Sequence, residues 1–331
     1  MPKGEKKRGT GKLVALIASA VLVAILIAAW LIGWFAPISA ATPLFLMMTR
    51  PEIRSVSGNL MIGNGGLYFV NPWLMEIIEP AWDADQLVYG MDELLSQAKA
   101  KETVYYPVYT DEETEEDAEK EKTGLYCLRP EGEEKHPFVL MIAGGGFTSV
   151  CTPMESLPVC ASFCEMGYTC FALTYRVGDT FGEAMPEEEM MEDVSRAAEY
   201  ILSRADEFNV EADNYLIGGF SAGAYIASTW CDETAGYGAY GLPAPAALCM
   251  MYGISEAHSE SIDVPVYMRF CEDDPYFTQD VFDACAVSLK ERGIAVNYET
   301  VSCLHGYGLG MGTEEEGWTA EAEAFWQQNL Y

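Results

Sequence analysis

From residue 137 onward the chain alternates short apolar runs with amphipathic stretches, a pattern compatible with few folds. The runs are FVLMI (138–142), TCFALTY (169–175), NYLIGG (214–219), ALCMMYGI (247–254), VPVYMRF (264–270) and VNYETV (296–301). They lack polar alternation, as strands covered on both faces do. The longest intervening stretch, PEEEMMEDVSRAAEYILSRADEF (186–208), opens with Pro186 and three glutamates, which suit a helix N-terminus. Within it Met190, Val194, Ala197, Ala198 and Ile201 make one apolar stripe. Strand, helix, strand repeated in this way predicts an α/β fold with a mainly parallel central sheet flanked by helices.

Upstream the signals are more mixed. TVYYPVYT (103–110) alternates like a strand, and TGLYCLRP (123–130) is its expected partner. The acidic run between them, DEETEEDAEKEK (111–122), reads as an exposed hairpin loop. Residues 72–100 hold two helical segments, around Trp73–Ile78 and Met91–Lys101, and residues 36–65 mix Pro, Gly, Ser and Asn with apolar patches. No internal repeat is visible. With half of its 331 residues hydrophobic, the chain suits one large domain after an N-terminal segment.

That N-terminal segment predicts a membrane anchor. Lys3, Lys6, Lys7, Arg8 and Lys12 precede Leu13 to Phe35, a 23-residue run without a charge, and no charged side chain follows until Arg50. The length matches a bilayer span, the basic cluster is expected to stay cytoplasmic, and Trp30, Trp34 and Phe35 suit an interfacial belt. The competing reading is a cleaved signal peptide with Ser39-Ala40-Ala41 as its processing site, although such an apolar region is normally about 7–15 residues long. Either way the domain is expected outside the cytoplasm. Setting aside residues 1–12 leaves 14 Lys plus Arg against 50 Asp plus Glu, a net of -36. So acidic a domain is not expected to bind nucleic acid, which needs clustered basic side chains.

The ten cysteines do not read as a disulfide framework. Cys170, Cys249 and Cys271 sit inside strand-like runs and Cys160 and Cys164 are one helical turn apart, as buried free thiols would be, though one or two bridges stay open. There is no C-x-x-C pair, and His136, His258 and His305 are far apart, so no zinc site is expected.

The chemistry centres on YLIGGFSAGAYIA (215–227). Gly219-Phe220-Ser221-Ala222-Gly223 fits G-x-S-x-G where a strand feeds directly into a helix, a turn sharp enough to push the serine hydroxyl out beside the helix N-terminus. The alternative is a small residue at a tight helix crossing. A nucleophile here needs an acid and then a histidine downstream. His305, in CLHGYGLG after the last predicted strand, is the candidate base; His258, in SEAHSES, reads as a solvated loop residue, and His136 lies at the wrong end of the sheet. FCEDDP, closing the fifth run, offers Glu272, Asp273 and Asp274, with Asp274 the first choice and Asp273 the alternate. MIAGGGFTS (141–149) supplies a side-chain-free loop after a strand, so the N–H groups of Gly145 and Gly146, with that of Ala222, are candidate oxyanion donors.

Together AGGGF, LTYRV, GGFSAGA, EDDP and HGYGL, in that order, resemble the α/β-hydrolases, and within them the esterase/lipase group of acetyl esterases, acetylxylan esterases and feruloyl-esterase-like BD-FAE proteins. The resemblance covers roughly residues 101–331. It implies Ser221 as nucleophile, Asp274 as acid, His305 as base, Gly145, Gly146 and Ala222 as the oxyanion hole, and no metal or organic cofactor. The departure is Ala143, where many relatives have a histidine that helps order the oxyanion loop. The expected organisation is a cytoplasmic tail (1–12), a transmembrane signal anchor (13–35), a juxtamembrane linker that could fold over the site as a cap (36–100) and a catalytic domain (101–331). The expected activity is hydrolysis of short acyl esters, on acetylated or feruloylated carbohydrate among others. A serine peptidase of the same fold and a non-catalytic binding module on a hydrolase scaffold are the alternatives.

Overall fold

The computed structural model describes residues 36–63, 67, 70–132 and 134–330, together with residue 19. Apart from residue 19, the predicted transmembrane segment 13–35 therefore lies outside the described residues, and among those that are described no helix is long and apolar enough to cross a membrane.

All six apolar runs form strands, and two more precede them. The strands are β1 (Tyr105–Pro107), β2 (Gly124–Leu128), β3 (His136–Ile142), β4 (Cys170–Thr174), β5 (Val210–Phe220), β6 (Ala247–Met251), β7 (Val266–Cys271) and β8 (Val296–Val301). They form one sheet in the order β1-β2-β4-β3-β5-β6-β7-β8. β4 through β8 run parallel, while β1 pairs antiparallel with β2, and β2 with β4.

The pleat sorts the apolar side chains into two cores. Along β3, Val139 and Met141 face one way and Phe138, Leu140 and Ile142 the other; along β6, Ala247, Cys249 and Met251 are separated from Leu248 and Met250. Helices Ala84–Lys99, Ser156–Glu165 and Trp318–Gln328 cover the first face, and helices Glu187–Leu202, Ala222–Trp230 and Gln279–Glu291 the second. Burial on both faces explains why β3, β4 and β6 read as continuous apolar runs. The edge strand β8 is covered less, and most of its residues are half-buried or exposed. All ten cysteines are buried, and none is bridged among the described residues.

Two upstream segments differ from the sequence reading. The acidic run 111–122 is two short helical turns, Asp111–Glu116 and Ala118–Lys122, rather than an open loop. A capping box starts the first: Thr110 Oγ1 accepts the Glu113 N–H while the Glu113 carboxylate accepts the Thr110 N–H. Glu113 and Lys120 also pair with Arg196 and Glu192 on the helix Glu187–Leu202. Residues 36–100, for their part, pack deeply: Leu44, Met47, Met48, Ile53 and Leu60 join the first core, and the helix Ala84–Lys99 lies against Ser156–Glu165.

Close packing where β5 meets its helix fixes the rest. A Cβ at Gly223 would overlap the main-chain carbonyl oxygens of Ile142 and Ala143 at the end of β3, so the helix can start directly above the sheet only with glycine there. Gly223→Ala is expected to lose on the order of 2–3 kcal/mol by overpacking. Gly58→Ala, where an added Cβ meets nothing within 4 Å, should stay within about 0.5 kcal/mol. Thermal denaturation followed by circular dichroism measures both, and equal melting temperatures would remove the close-approach argument.

Candidate active site

The site lies at the carboxyl ends of the parallel strands, where an open α/β sheet places its ligands. Ser221 follows β5 directly and caps the helix Ala222–Trp230 with φ 50° and ψ -119°. A non-glycine residue in this conformation is strained, and here the neighbouring backbone imposes it: the Ser221 N–H donates to the Met251 carbonyl at 3.0 Å, while its own carbonyl accepts the N–H groups of Ala224 and Tyr225. The positive φ falls on the serine itself. The glycines flanking it serve instead for close approach.

Loops after β7 and β8 bring the other two groups in. Asp274 Oδ2 lies 2.7 Å from His305 Nδ1, and His305 Nε2 lies 2.8 Å from Ser221 Oγ. A carboxylate can only accept, so the ring proton sits on Nδ1 and Nε2 is left as acceptor for the serine hydroxyl. Asp274 is itself held: its side chain is fully buried, and Oδ1 accepts the N–H groups of Tyr276 at 2.9 Å and Phe277 at 3.0 Å. Asp273 and Glu272 are exposed, and neither replaces it at the imidazole. Rings of Tyr252, Tyr276 and Phe277 surround the imidazole, with centroids 4.9, 4.8 and 6.1 Å away.

The glycine loop after β3 lines the same cavity. Its carbonyls are already engaged: Ala143 O accepts the Tyr175 hydroxyl at 2.8 Å, Gly145 O the Ser149 hydroxyl at 2.9 Å, and Gly146 O the Gly182 N–H at 2.9 Å. Gly145 has φ 139°, which turns its peptide against Ser149 where any Cβ would clash. The Gly144 N–H donates to Glu155 Oε2 at 2.6 Å. The loop that lacks a histidine at position 143 is thus fixed by its carbonyls and by Glu155, a residue to which the sequence reading gave no role. No local pattern marks Glu155; its hydrogen-bond partners are Gly144, in the loop after β3, and Tyr252, which follows β6.

Gly145, Gly146, Ser221, Ala222 and His305 line a cavity of about 960 Å³. Gly63, Glu79 and Trp82, from the segment before residue 101, form part of its wall together with Phe181, Tyr276 and Leu304. Among the described residues no group of three or more His, Cys, Asp and Glu could hold a metal ion.

His258 is not the solvated residue expected. Its Nδ1 lies 2.8 Å from Asp232 Oδ2 and its Nε2 2.9 Å from Glu187 Oε2, with 13% of the side chain exposed. The partners are 26 and 71 residues away in sequence, so the stretch SEAHSES alone could not reveal them.

A family model described as BD-FAE matches residues 125–234, a stretch that includes Gly145, Gly146, Ser221 and Ala222 and ends before Asp274 and His305. Endo-1,4-beta-xylanase B of Butyrivibrio fibrisolvens is 28% identical over 102 residues, which is 31% of this chain; the chain spans 16% of that protein's length. The acetyl ester-xyloside bifunctional hydrolase of Caldicellulosiruptor lactoaceticus superposes with a TM-score of 0.53 at 18% identity, over 62% of this chain and 88% of that one. A thermophilic esterase of the planctomycete Thermogutta terrifontis gives 0.51 at 17%, over 62% and 87%. A fungal esterase of Rhizomucor miehei gives 0.52 at 15%, over 63% and 81%. The fold is that of the α/β-hydrolases.

The His258 cluster generates a pH prediction. Burial by itself lowers the His258 pKa, but hydrogen bonds to the Asp232 and Glu187 carboxylates, and their charge, outweigh it and hold it above the ordinary value. A histidine raised in the folded state contributes stability that is complete below its unfolded pKa of about 6.5 and is lost as pH rises through the folded value. The melting temperature of the wild type should therefore exceed that of His258→Asn by more at about pH 6 than at about pH 9. A gap independent of pH in thermal denaturation would contradict this assignment.

Proposed function

We propose that this α/β-hydrolase is a serine carboxylester hydrolase acting on short acyl esters by a Ser221–His305–Asp274 acyl-enzyme mechanism. The observation that carries the reading is the unbroken relay from Asp274 Oδ2 through His305 to Ser221 Oγ, at 2.7 and 2.8 Å, on the wall of a cavity. In the first half-reaction Ser221 Oγ bonds to the ester carbonyl carbon as its proton passes to His305 Nε2, and Asp274 stabilises the imidazolium. The carbonyl oxygen becomes an oxyanion that the N–H groups of Gly145, Gly146 and Ala222 receive. The tetrahedral species collapses, the ester C–O bond breaks, and the leaving alkoxide takes the proton from His305. Water then gives its proton to the same nitrogen, adds to the acyl carbon and releases the carboxylic acid, returning the proton to Ser221.

The cavity favours an ester whose alcohol is bulky and hydroxylated. Trp82, Phe181, Tyr225 and Tyr276 offer stacking faces, and Glu79, Glu256 and Asp273 offer acceptors for hydroxyl groups, a combination that suits acetylated or feruloylated carbohydrate. The similarity to a xylanase and to an acetyl ester-xyloside bifunctional hydrolase supports the same reading.

The reading includes a membrane-anchored, extracytoplasmic enzyme divided as tail (1–12), anchor (13–35), linker and cavity wall (36–100) and catalytic domain (101–331). Support comes from the uncharged run at 13–35 and from the helix Pro72–Ile78, which leaves Trp73, Ile77 and Ile78 more than half exposed. The Trp73 N–H donates to the Ala40 carbonyl at 3.1 Å, so this apolar surface sits beside the chain emerging from the run.

Two experiments test these assignments. Turnover of p-nitrophenyl acetate should be abolished in Ser221→Ala, and kcat should fall by about 10³–10⁴-fold in Asp274→Asn, which spoils the imidazole tautomer; a wild type inactive across acetyl, butyryl, feruloyl and acetylated-sugar esters would defeat the esterase assignment. For the anchor, the full chain expressed in a bacterial host should remain in the membrane pellet after an alkaline carbonate wash with its N-terminal residues intact. Recovery as a soluble protein beginning near Ala41 or Thr42 would instead establish signal-peptide cleavage.

A further inference from the structure

The oxyanion loop and the histidine loop are joined through the interior by a single buried carboxyl. Glu155 is 3% exposed and lies just before the helix Ser156–Glu165. Its Oε2 accepts the Gly144 N–H at 2.6 Å, and its Oε1 accepts the Tyr252 hydroxyl at 3.0 Å. The same phenol oxygen accepts the Gly308 N–H at 3.1 Å. Gly144 immediately precedes the two donor glycines, and Gly308 follows His305 by three residues. Tyr252 packs edge-on against the imidazole, and Gly253, next along the chain, is pressed against the Ser221 main chain so closely that a Cβ there would clash.

We propose that Glu155 is a positioning residue for this reaction: by holding Gly144 with one oxygen and Tyr252 with the other, it sets the oxyanion donors at a fixed distance from the His305 imidazole. The proposal rests on the acyl-transfer reading above.

Three observations favour this role over simple space-filling. Ala143 has no polar side chain with which to order the glycine loop, so Glu155 is the side chain that restrains it by hydrogen bonding to its first N–H. Burying a carboxyl is unfavourable, and an apolar side chain would fill the same volume at lower cost. Burial pushes Glu155 up to about 7, although the Gly144 and Tyr252 bonds and the nearby imidazole pull the other way. Finally, Tyr252 has φ 40°, an unusual conformation for an aromatic residue, and it is this conformation that coexists with the bond to Glu155 and the packing on His305.

The geometry predicts a specific kinetic pattern. Displacing the donors relative to the imidazole penalises the transition state rather than substrate binding, so the loss belongs in kcat. Glu155→Ala is expected to lower kcat on p-nitrophenyl acetate about 10–100-fold with KM changed less than about threefold. Glu155→Gln keeps an acceptor for Gly144 and donors for the Tyr252 oxygen, and should recover kcat to within about fivefold of wild type. Tyr252→Phe cuts the same bridge from the other side and should lose about tenfold, and the Glu155→Ala/Tyr252→Phe double variant should be little worse than the worse single one. Circular dichroism melts establish that each variant is folded; if Glu155→Ala is not, Tyr252→Phe carries the test by itself.

Unchanged kcat in folded Glu155→Ala or Tyr252→Phe, losses confined to KM, Glu155→Gln no better than Glu155→Ala, or multiplicative losses in the double variant would each overturn the proposal. Ser221→Ala, assayed alongside, reports separately on the acyl-transfer reading. Should wild type not turn over the ester, the rate at which a fluorophosphonate probe labels Ser221 is the readout, with the same ranking of variants expected.

Discussion

The active-site geometry depends on how closely one helix N-terminus is pressed onto the end of the sheet. Gly223 leaves the first turn of the helix Ala222–Trp230 in contact with the carbonyls that end β3, and Gly144 leaves the glycine loop in contact with Phe220 and Ser221. With both neighbours that near, Ser221 has no room for a relaxed conformation, and its φ of 50° follows. Strain of this kind is worth on the order of 1–3 kcal/mol and persists only where the surroundings over-determine it. Here the determinants are the β5–β6 pairing, which runs through Phe220 and Met251, and the helix that begins immediately after the serine. The hydroxyl and the Ala222 N–H are therefore set by the same backbone turn.

Buried polar groups do the corresponding work for the loops. Arg176, after β4, donates to Asp193 and Glu192 on the helix Glu187–Leu202 and sits over the Tyr109 ring, which ties the antiparallel edge of the sheet to its second face. Arg269 on β7, 1% exposed, donates to Asn297 on β8 and pairs with Glu315 and Glu321, so the chain that returns from His305 to the helix Trp318–Gln328 is fastened to the strand that leads to Asp274. Removing one partner from such a cluster leaves an uncompensated buried charge, which is why the clusters restrain geometry more than they add to net stability. Arg176, Asp193, Arg269 and Glu315 are the buried charges paired in this way.

Most of the fold was legible because the parallel strands are buried on both faces, so composition alone marked them. β8 is less buried, yet Val296 and Tyr298 still pack on the second core and Val301 on the first. Ser221, His305 and the acid after β7 were legible because chain order and strand ends locate them: each follows a run that could only be a strand. What could not be read locally depends on partners distant in sequence. The run 111–122, whose first turn a local capping box starts, is held against the helix Glu187–Leu202 by Arg196 and Glu192; His258 is held because Asp232 and Glu187 converge on it; Glu155 reaches Gly144, Tyr252 and indirectly Gly308 across three separate loops. None of these pairings leaves a periodic trace.

The least readable segment, residues 36–100, turns out to bear directly on the site. Gln86, fully buried on the helix Ala84–Lys99, donates to the Met154 carbonyl at 3.3 Å and accepts the Leu309 N–H at 3.1 Å. One side chain thus touches the residue before Glu155 and the residue after Gly308, running parallel to the link through Tyr252. The same segment contributes Trp82 and Glu79 to the cavity wall. A glutamine buried between these two loops registers the segment 36–100 against both of them. Gln86 thus ties the segment that supplies Trp82 and Glu79 to the loop that follows His305.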